Sequence, residues 1–154
     1  ASVRHCDWVV GCYYLVRREM IDQIGLFDPR YFLYFEEVDH CFAAKKAGWD
    51  VVFYPHTTVV HLGGESAKSS GEITKNGRQL SALQIESELL YFRKNHGLTG
   101  CLIHVALSVC ADVLMVVKGL IKRDRAHTAA SAWQHMNLVL DLFRRTSWAT
   151  APTR

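Results

Sequence analysis

The sequence predicts an α/β domain over residues 1–79 followed by amphipathic and apolar helices over residues 80–154. Three observations carry that expectation. Residues 8–16, Trp-Val-Val-Gly-Cys-Tyr-Tyr-Leu-Val, are β-branched and aromatic without a charge, as a buried strand requires. Residues 36–47 place acidic side chains in a first turn and Lys45 and Lys46 in a last turn, complementing a helix dipole. From Leu80 onward the apolar period becomes helical.

In chain order, the strand over 8–16 has a weak point at Gly11 and leads into a short helix over 17–24, which Gly25 closes. A loop over 26–35 carries Asp28-Pro29 and five aromatic residues. The acidic helix follows and stops at Gly48, with Val38, Cys41 and Phe42 on its core side, Glu36, Asp39 and His40 pointing away, and Glu37 on the border. Two short strands, 50–54 and 57–61, are separated by Pro55, which cannot donate to a ladder. Residues 62–79, rich in Gly, Ser and Lys, read as a mobile loop. Leu83, Glu86, Leu90 and Arg93 then separate apolar from charged faces until Gly97 and Gly100 break the pattern. Residues 101–121 are apolar but interrupted by His104, Asp112 and Lys118, and a last amphipathic helix over about 129–145 carries Trp133, Met136, Leu140 and Phe143 on one side.

The 154 residues are 49% apolar and 21% charged, an ordinary globular composition. Five cysteines, none in a C-x-x-C pair, indicate neither a disulfide framework nor a zinc ribbon and fit a reducing compartment. Charge is uneven: residues 1–79 hold 9 Lys and Arg against 10 Asp and Glu, whereas residues 80–154 hold 9 against 5. The cations flank apolar stretches instead of interleaving with stacking aromatics, which points to an anionic membrane surface and away from nucleic acid. Asp112 and Lys118 make a full crossing costly, so attachment parallel to the surface is expected. The Ala-Ser start, with no charged and apolar leader behind it, shows no secretory signal and fits a fragment.

The residues able to do chemistry concentrate between Gly25 and Ser66. A carboxylate on the rim of a helix, as Glu37 is placed, is partly desolvated yet reachable, which suits a general base. The simpler alternative is that Glu36 and Glu37 only complement the helix N-terminus. His61 ends a strand beside the flexible Gly63-Gly64 turn, where neutral imidazole can ligate a divalent cation, although a lone histidine is more often structural. No spacing among His5, His40, His56 and the cysteines supports a zinc site.

The run Phe27-Asp28-Pro29-Arg30-Tyr31-Phe32-Leu33-Tyr34-Phe35-Glu36-Glu37-Val38-Asp39-His40-Cys41, then Ala47-Gly48-Trp49, Tyr54-Pro55 and Val60-His61-Leu62-Gly63-Gly64-Glu65-Ser66, resembles the second half of family 2 GT-A glycosyltransferases over about 40 positions. The family pattern is F-D-x-x-F-F-x-Y-x-E-D-x-D, followed by a-G-w, y-P and v-H-x-x-g-x-S. Glu86-Ser87-Glu88, the run from Tyr91 to Gly97 and the ending from Thr146 to Arg154 resemble the rhamnosyltransferase branch. The resemblance implies the C-terminal, acceptor-side half of a GT-A nucleotide-diphospho-sugar transferase fold over 1–79. It makes Glu37 the catalytic base, with Glu36 beside it, and His61 a ligand of a Mg²⁺ or Mn²⁺ ion bound to the donor diphosphate. Trp8 and Gly11 line the acceptor side, with Asp39 as a further substrate-binding residue. Glu37 stands where the family more often has Asp, a difference of one methylene.

By the same resemblance the reaction is inverting glycosyl transfer from a nucleotide-sugar, dTDP-rhamnose by likeness, to a glycan or lipid-linked glycan in cell-envelope polysaccharide biosynthesis. It would occur in the cytoplasm, peripheral to the inner face of the membrane. The family's nucleotide-binding half, with its metal-gripping D-x-D, lies N-terminal to all of these motifs, and the chain contains no D-x-D. The chain is therefore expected to be incomplete and inactive without that half. The alternatives are a non-catalytic membrane-peripheral interaction domain and, less supported for want of an H-E-x-x-H, a metal-dependent hydrolase.

Overall fold

The structure, a computed structural model, describes residues 2–60, 78–121 and 126–154. It divides into two compact units, Ala1–Leu80 and Ser81–Arg154. In the first, β1 (Arg4–His5) pairs antiparallel with β2 (Val52–Phe53), Arg4 opposite Phe53 and His5 opposite Val52. The Cys6 amide extends the pairing by donating to the Val51 carbonyl at 3.0 Å. Between the strands lie α1 (Arg18–Ile24) and α2 (Glu36–Lys46). Met20, Tyr31, Cys41, Ala44 and Val51 form the buried interior of this unit.

Both helices stop where glycine chemistry places the stop. Gly25 adopts φ 85° and donates its amide to the Ile21 carbonyl. At the end of α2, Gly48 adopts φ 88° and donates to Lys45, while Trp49 donates to Ala44, the paired bonds of a Schellman turn. Trp49 Nε1 then donates to Gln23 Oε1 at 2.7 Å and ties this turn to α1.

The expected strands fare differently. Residues 8–16 form no ladder: a turn occupies Gly11 and Cys12, and Trp8, Val10, Tyr13 and Leu15 are exposed. A buried strand needs neighbours to satisfy its amides, and among the described residues the only ladder is the two-residue pair of β1 and β2. Likewise 50–54 shortens to Val52–Phe53, a turn forms at Pro55 and His56, and residues 57–60 join no sheet. The described residues are thus mainly helical, with two short strands where a larger α/β sheet was expected. His61 and most of the expected mobile loop over 62–79 lie outside them, although Arg78 and Gln79 already belong to a helix.

In the second unit, α3 (Arg78–Ile121) bends at Gly97, whose φ 70° and ψ −171° are non-helical. Gly100 stays in the helix; a methyl there would overlap the His96 side chain, so the bend requires glycine at this position too. Phe92 stacks on His104 across the bend, with ring centroids 4.2 Å apart. The helix α4 (Ala126–Arg145) packs Val139, Leu142 and Phe143 against Ile85, Leu89, Cys101 and Val105. Its inward seam is Ala132, Val139, Leu142 and Phe143, whereas Trp133, expected on the apolar side, is exposed.

After α4 the chain coils through three left-handed residues, Ser147, Trp148 and Ala149. Buried Thr146 organises this turn: its hydroxyl donates to the Leu142 carbonyl at 2.7 Å and accepts the Ala149 amide at 3.1 Å. The terminal segment ends on Glu86, expected on a charged outer face but only 3% exposed. Its carboxylate accepts from the Thr153 amide at 3.2 Å, the Thr153 hydroxyl at 2.6 Å and Arg154 Nη1 at 3.2 Å. Thr146→Val should lower stability by about 1–3 kcal/mol, because the Ala149 amide loses its acceptor in a buried site. Urea unfolding followed by far-UV circular dichroism checks this, and an unchanged midpoint would contradict the assigned role.

Candidate active site

The loop before α2 is built by its own polar residues. Asp28 accepts the Arg30 amide at 3.0 Å, pairs with Arg30 Nε at 2.9 Å, and offers its carbonyl to the Tyr31 amide at 3.2 Å. Tyr31 turns inward and donates its hydroxyl to Asp39 Oδ1 at 3.2 Å. Burial first, and then the Asp39 charge, push the Tyr31 phenol far above its ordinary range, so it remains a donor.

Between these two anchors Tyr34 and Phe35 both sit at φ 68°, in the left-handed region. Residues other than glycine held there cost about 1–3 kcal/mol each and persist where surrounding contacts over-determine them. The consequence is a sharp entry into α2, with Phe35 at the N-cap and no side-chain cap. Glu36, Glu37 and Asp39 therefore fall in the first turn, at the positive end of the helix dipole.

Glu36 and Glu37 are each half-buried, and Oε2 of each is shut off from water with no hydrogen-bond partner among the described residues. Such oxygens are uncommon and ask for an explanation, since each carries an uncompensated desolvation cost. Burial, aided by the neighbouring Glu37 charge and opposed by a bond to its own backbone, raises the Glu36 carboxyl above the usual carboxylate range. Glu37 packs over Gly11: a Cβ at Gly11 would lie 3.6 Å from Glu37 Cβ and 3.7 Å from Cγ and Cδ. Two of the predicted site residues, distant in sequence, are thus brought together, and a side chain larger than alanine at position 11 would displace the carboxylate.

The opposite flank of α2 differs from the helical-wheel expectation. Asp39 and His40, expected to point away, are only 4% and 5% exposed. A wheel assumes one covered face, whereas here the loop before α2 covers a second one. His40 Nε2 lies 3.0 Å from the Gly25 carbonyl, which can only accept, so Nε2 carries a hydrogen, and Nδ1 is hydrogen-bonded to the Tyr14 hydroxyl at 3.0 Å. Tyr14, Phe27 and His40 pack their rings 5.2–5.8 Å apart. Burial, then Cys41 and the Glu37 charge, push the Tyr14 phenol up, which places Tyr14 within electrostatic reach of Glu37.

Sequence reasoning missed Tyr14. Its only signal was an aromatic residue in an apolar run, with its partner 26 positions away. Trp8 is exposed, and no described hydrogen bond or ring contact joins it to the carboxylates. A cavity of about 480 Å³ lined by Val9, Tyr14, Met20, Trp49 and Val51, among others, shares Tyr14 with this site but holds none of the predicted site residues. His61 lies outside the described residues, and among those described no three His, Cys, Asp or Glu side chains gather as a metal site.

The family described as "Glycosyltransferase like family 2" matches residues 3–82. N-acetylglucosaminyl-diphospho-decaprenol L-rhamnosyltransferase of Mycobacterium tuberculosis, in strains CDC 1551 / Oshkosh and ATCC 25618 / H37Rv, is 45% identical over 60 residues, which are 39% of this chain and 20% of the relative. The chain therefore matches about a fifth of the length of these curated relatives. No solved structure matches. The matched region takes in both left-handed residues, Gly11, Tyr14 and every carboxylate of the first turn of α2, and the chain, more than half of which it covers, belongs to glycosyltransferase-like family 2 and is rhamnosyltransferase-like.

Proposed function

We propose that this chain supplies the acceptor-side half of an inverting GT-A glycosyltransferase in which Glu37 is the general base. The observation that carries this reading is the Glu37 carboxylate itself, half-buried against Gly11, with one oxygen sheltered from water and without a hydrogen-bond partner among the described residues. A non-catalytic module gives no reason to keep such an oxygen. A base that waits for a substrate hydroxyl does.

In the proposed reaction Glu37 takes the proton of an acceptor hydroxyl while that oxygen bonds to the anomeric carbon of the donor. The bond from the anomeric carbon to the diphosphate oxygen breaks, and the nucleoside diphosphate leaves with the electron pair. One carboxylate suffices for this single displacement, whereas retention through a glycosyl-enzyme needs a nucleophile as well. Glu36 flanks the base on the acceptor side. Asp39, buried and bonded to Tyr31, contributes by holding the entry of α2, and Trp8 and Gly11 border the acceptor.

The name of the mycobacterial relative supports rhamnose, delivered as dTDP-rhamnose, as the sugar transferred, and a lipid-linked glycan of the cell envelope as the acceptor. A Mg²⁺ or Mn²⁺ ion, which would stabilise the departing diphosphate, is proposed to meet this chain at His61. The described residues build no site for it, and every step above belongs to the chain's own carboxylates. The nucleotide-binding half is proposed to complete the enzyme.

In the full-length enzyme Glu37→Gln should lower kcat by about 10²–10⁴ while donor binding survives, the size expected for loss of a general base. Steady-state kinetics and donor titration check this, and a kcat within about threefold of wild type would remove Glu37 from the role. Glu36→Gln should be milder in activity and distinctive in stability. The raised Glu36 carboxyl means that the folded state holds this proton to higher pH than the unfolded state, so its contribution to stability falls as pH rises through that window. The amide removes the penalty: Tm should rise at neutral pH, and the gain should vanish in acid, where both states are protonated. A lower Tm at neutral pH would contradict the assigned burial.

A further inference from the structure

The part of α3 beyond Gly97 presents two unlike faces. At 100° per residue, Cys101, Val105, Asp112 and Gly119 fall on one side, and all four are shielded or nearly so. Ile103, Leu107, Cys110, Leu114, Val117 and Ile121 fall on the other, and all are exposed, Leu114 at 69% and Ile121 at 77%. Soluble monomers rarely leave so long an apolar stripe open. By length and composition the helix is also apolar enough to cross a membrane.

Asp112, which with Lys118 made a full crossing costly from the sequence, does not interrupt this stripe. Its side chain is 13% exposed, on the inward side, with Oδ2 2.7 Å from His135 Nδ1 of α4. Crossing the bilayer is opposed by α4 instead. Besides Trp133, its exposed residues include Gln134, His135, Asn137, Asp141, Arg144 and Arg145, polar groups that a transmembrane hairpin would carry into hydrocarbon. Exposed Lys118 borders the apolar stripe, and Arg144 and Arg145 end α4.

We infer that the stripe from Ile103 to Ile121 lies in the plane of an anionic lipid surface, with α4 covering the inward side of α3 and keeping its own polar face in water. The occupant is a lipid surface because the stripe is apolar along its whole length while the charge that borders it on α3, Lys118, is cationic, the pairing that matches acyl chains beneath anionic headgroups. The inference stands apart from the catalytic reading, since none of these residues belongs to the proposed active site.

The test is co-sedimentation of the full-length protein with vesicles of phosphatidylglycerol and phosphatidylcholine, and with phosphatidylcholine alone. Sedimentation with the anionic vesicles is expected to exceed that with the neutral ones. About 1 M NaCl should release part of the bound protein, because salt screens the cations and not the apolar contact, and alkaline carbonate should strip the rest. Leu107→Glu with Leu114→Glu should lower the bound fraction by about tenfold or more, since a charge set among acyl chains is costly, with an unchanged circular dichroism spectrum. Lys118→Glu should weaken binding only at low salt. Sedimentation of wild type with neither vesicle, undiminished binding by the double variant, or retention after carbonate would each overturn the inference. So would a dimer that the double variant dissolves in the absence of any vesicle binding, which would assign the stripe to a second copy.

Discussion

The hydrogen bond from Tyr31 to Asp39 is the contact on which the first unit depends. It joins a phenol that burial keeps protonated to a carboxylate that is itself nearly inaccessible. Across it, the loop that begins at Asp28 is fastened to the first turn of α2, and the chain between must pass through Tyr34 and Phe35 in left-handed conformations. Backbone strain of that kind is retained only where neighbouring contacts leave no alternative. The direction in which α2 starts, and so the placement of Glu36 and Glu37, follows from this bond. Tyr14 and His40 repeat the device on the other flank, where the imidazole bridges a phenol and the Gly25 carbonyl.

The second unit relies on a comparable long-range closure. Gly97 bends α3, Gly100 lets its two parts approach, and the buried Glu86 carboxylate gathers the amide and hydroxyl of Thr153 and the guanidinium of Arg154. A buried carboxylate is tolerable when its lone pairs are filled by donors, and here the end of the chain provides them. Two stretches that resemble the rhamnosyltransferase branch in sequence, one around Glu86 and one from Thr146 onward, are brought into contact by that arrangement.

Local chemistry was legible in the sequence and long-range chemistry was not. The ends of α1 and α2 could be read from Gly25 and Gly48 because a helix stop is decided by one glycine and its immediate neighbours. The bond from Glu86 to Thr153 spans 67 residues and leaves no periodic trace. The apolar run over 8–16 signalled a capacity to be buried, which is not the same as having a partner strand. Asp39 and His40 were read as outward-facing because a wheel contains no information about a loop folding over a second face. Glu36 and Glu37 were identified through motif resemblance; their sheltered, unpaired oxygens, and the packing of Glu37 over Gly11, emerge only in three dimensions.

The catalytic account reduces to a single carboxylate acting on a hydroxyl, with no nucleophile and therefore no covalent glycosyl intermediate. That requirement has a stereochemical signature independent of any substitution. The most direct measurement is the anomeric configuration of the first-formed product of the full-length enzyme, read by NMR from the anomeric one-bond carbon–proton coupling. The account predicts inversion relative to the donor, and a product with retained configuration would contradict it.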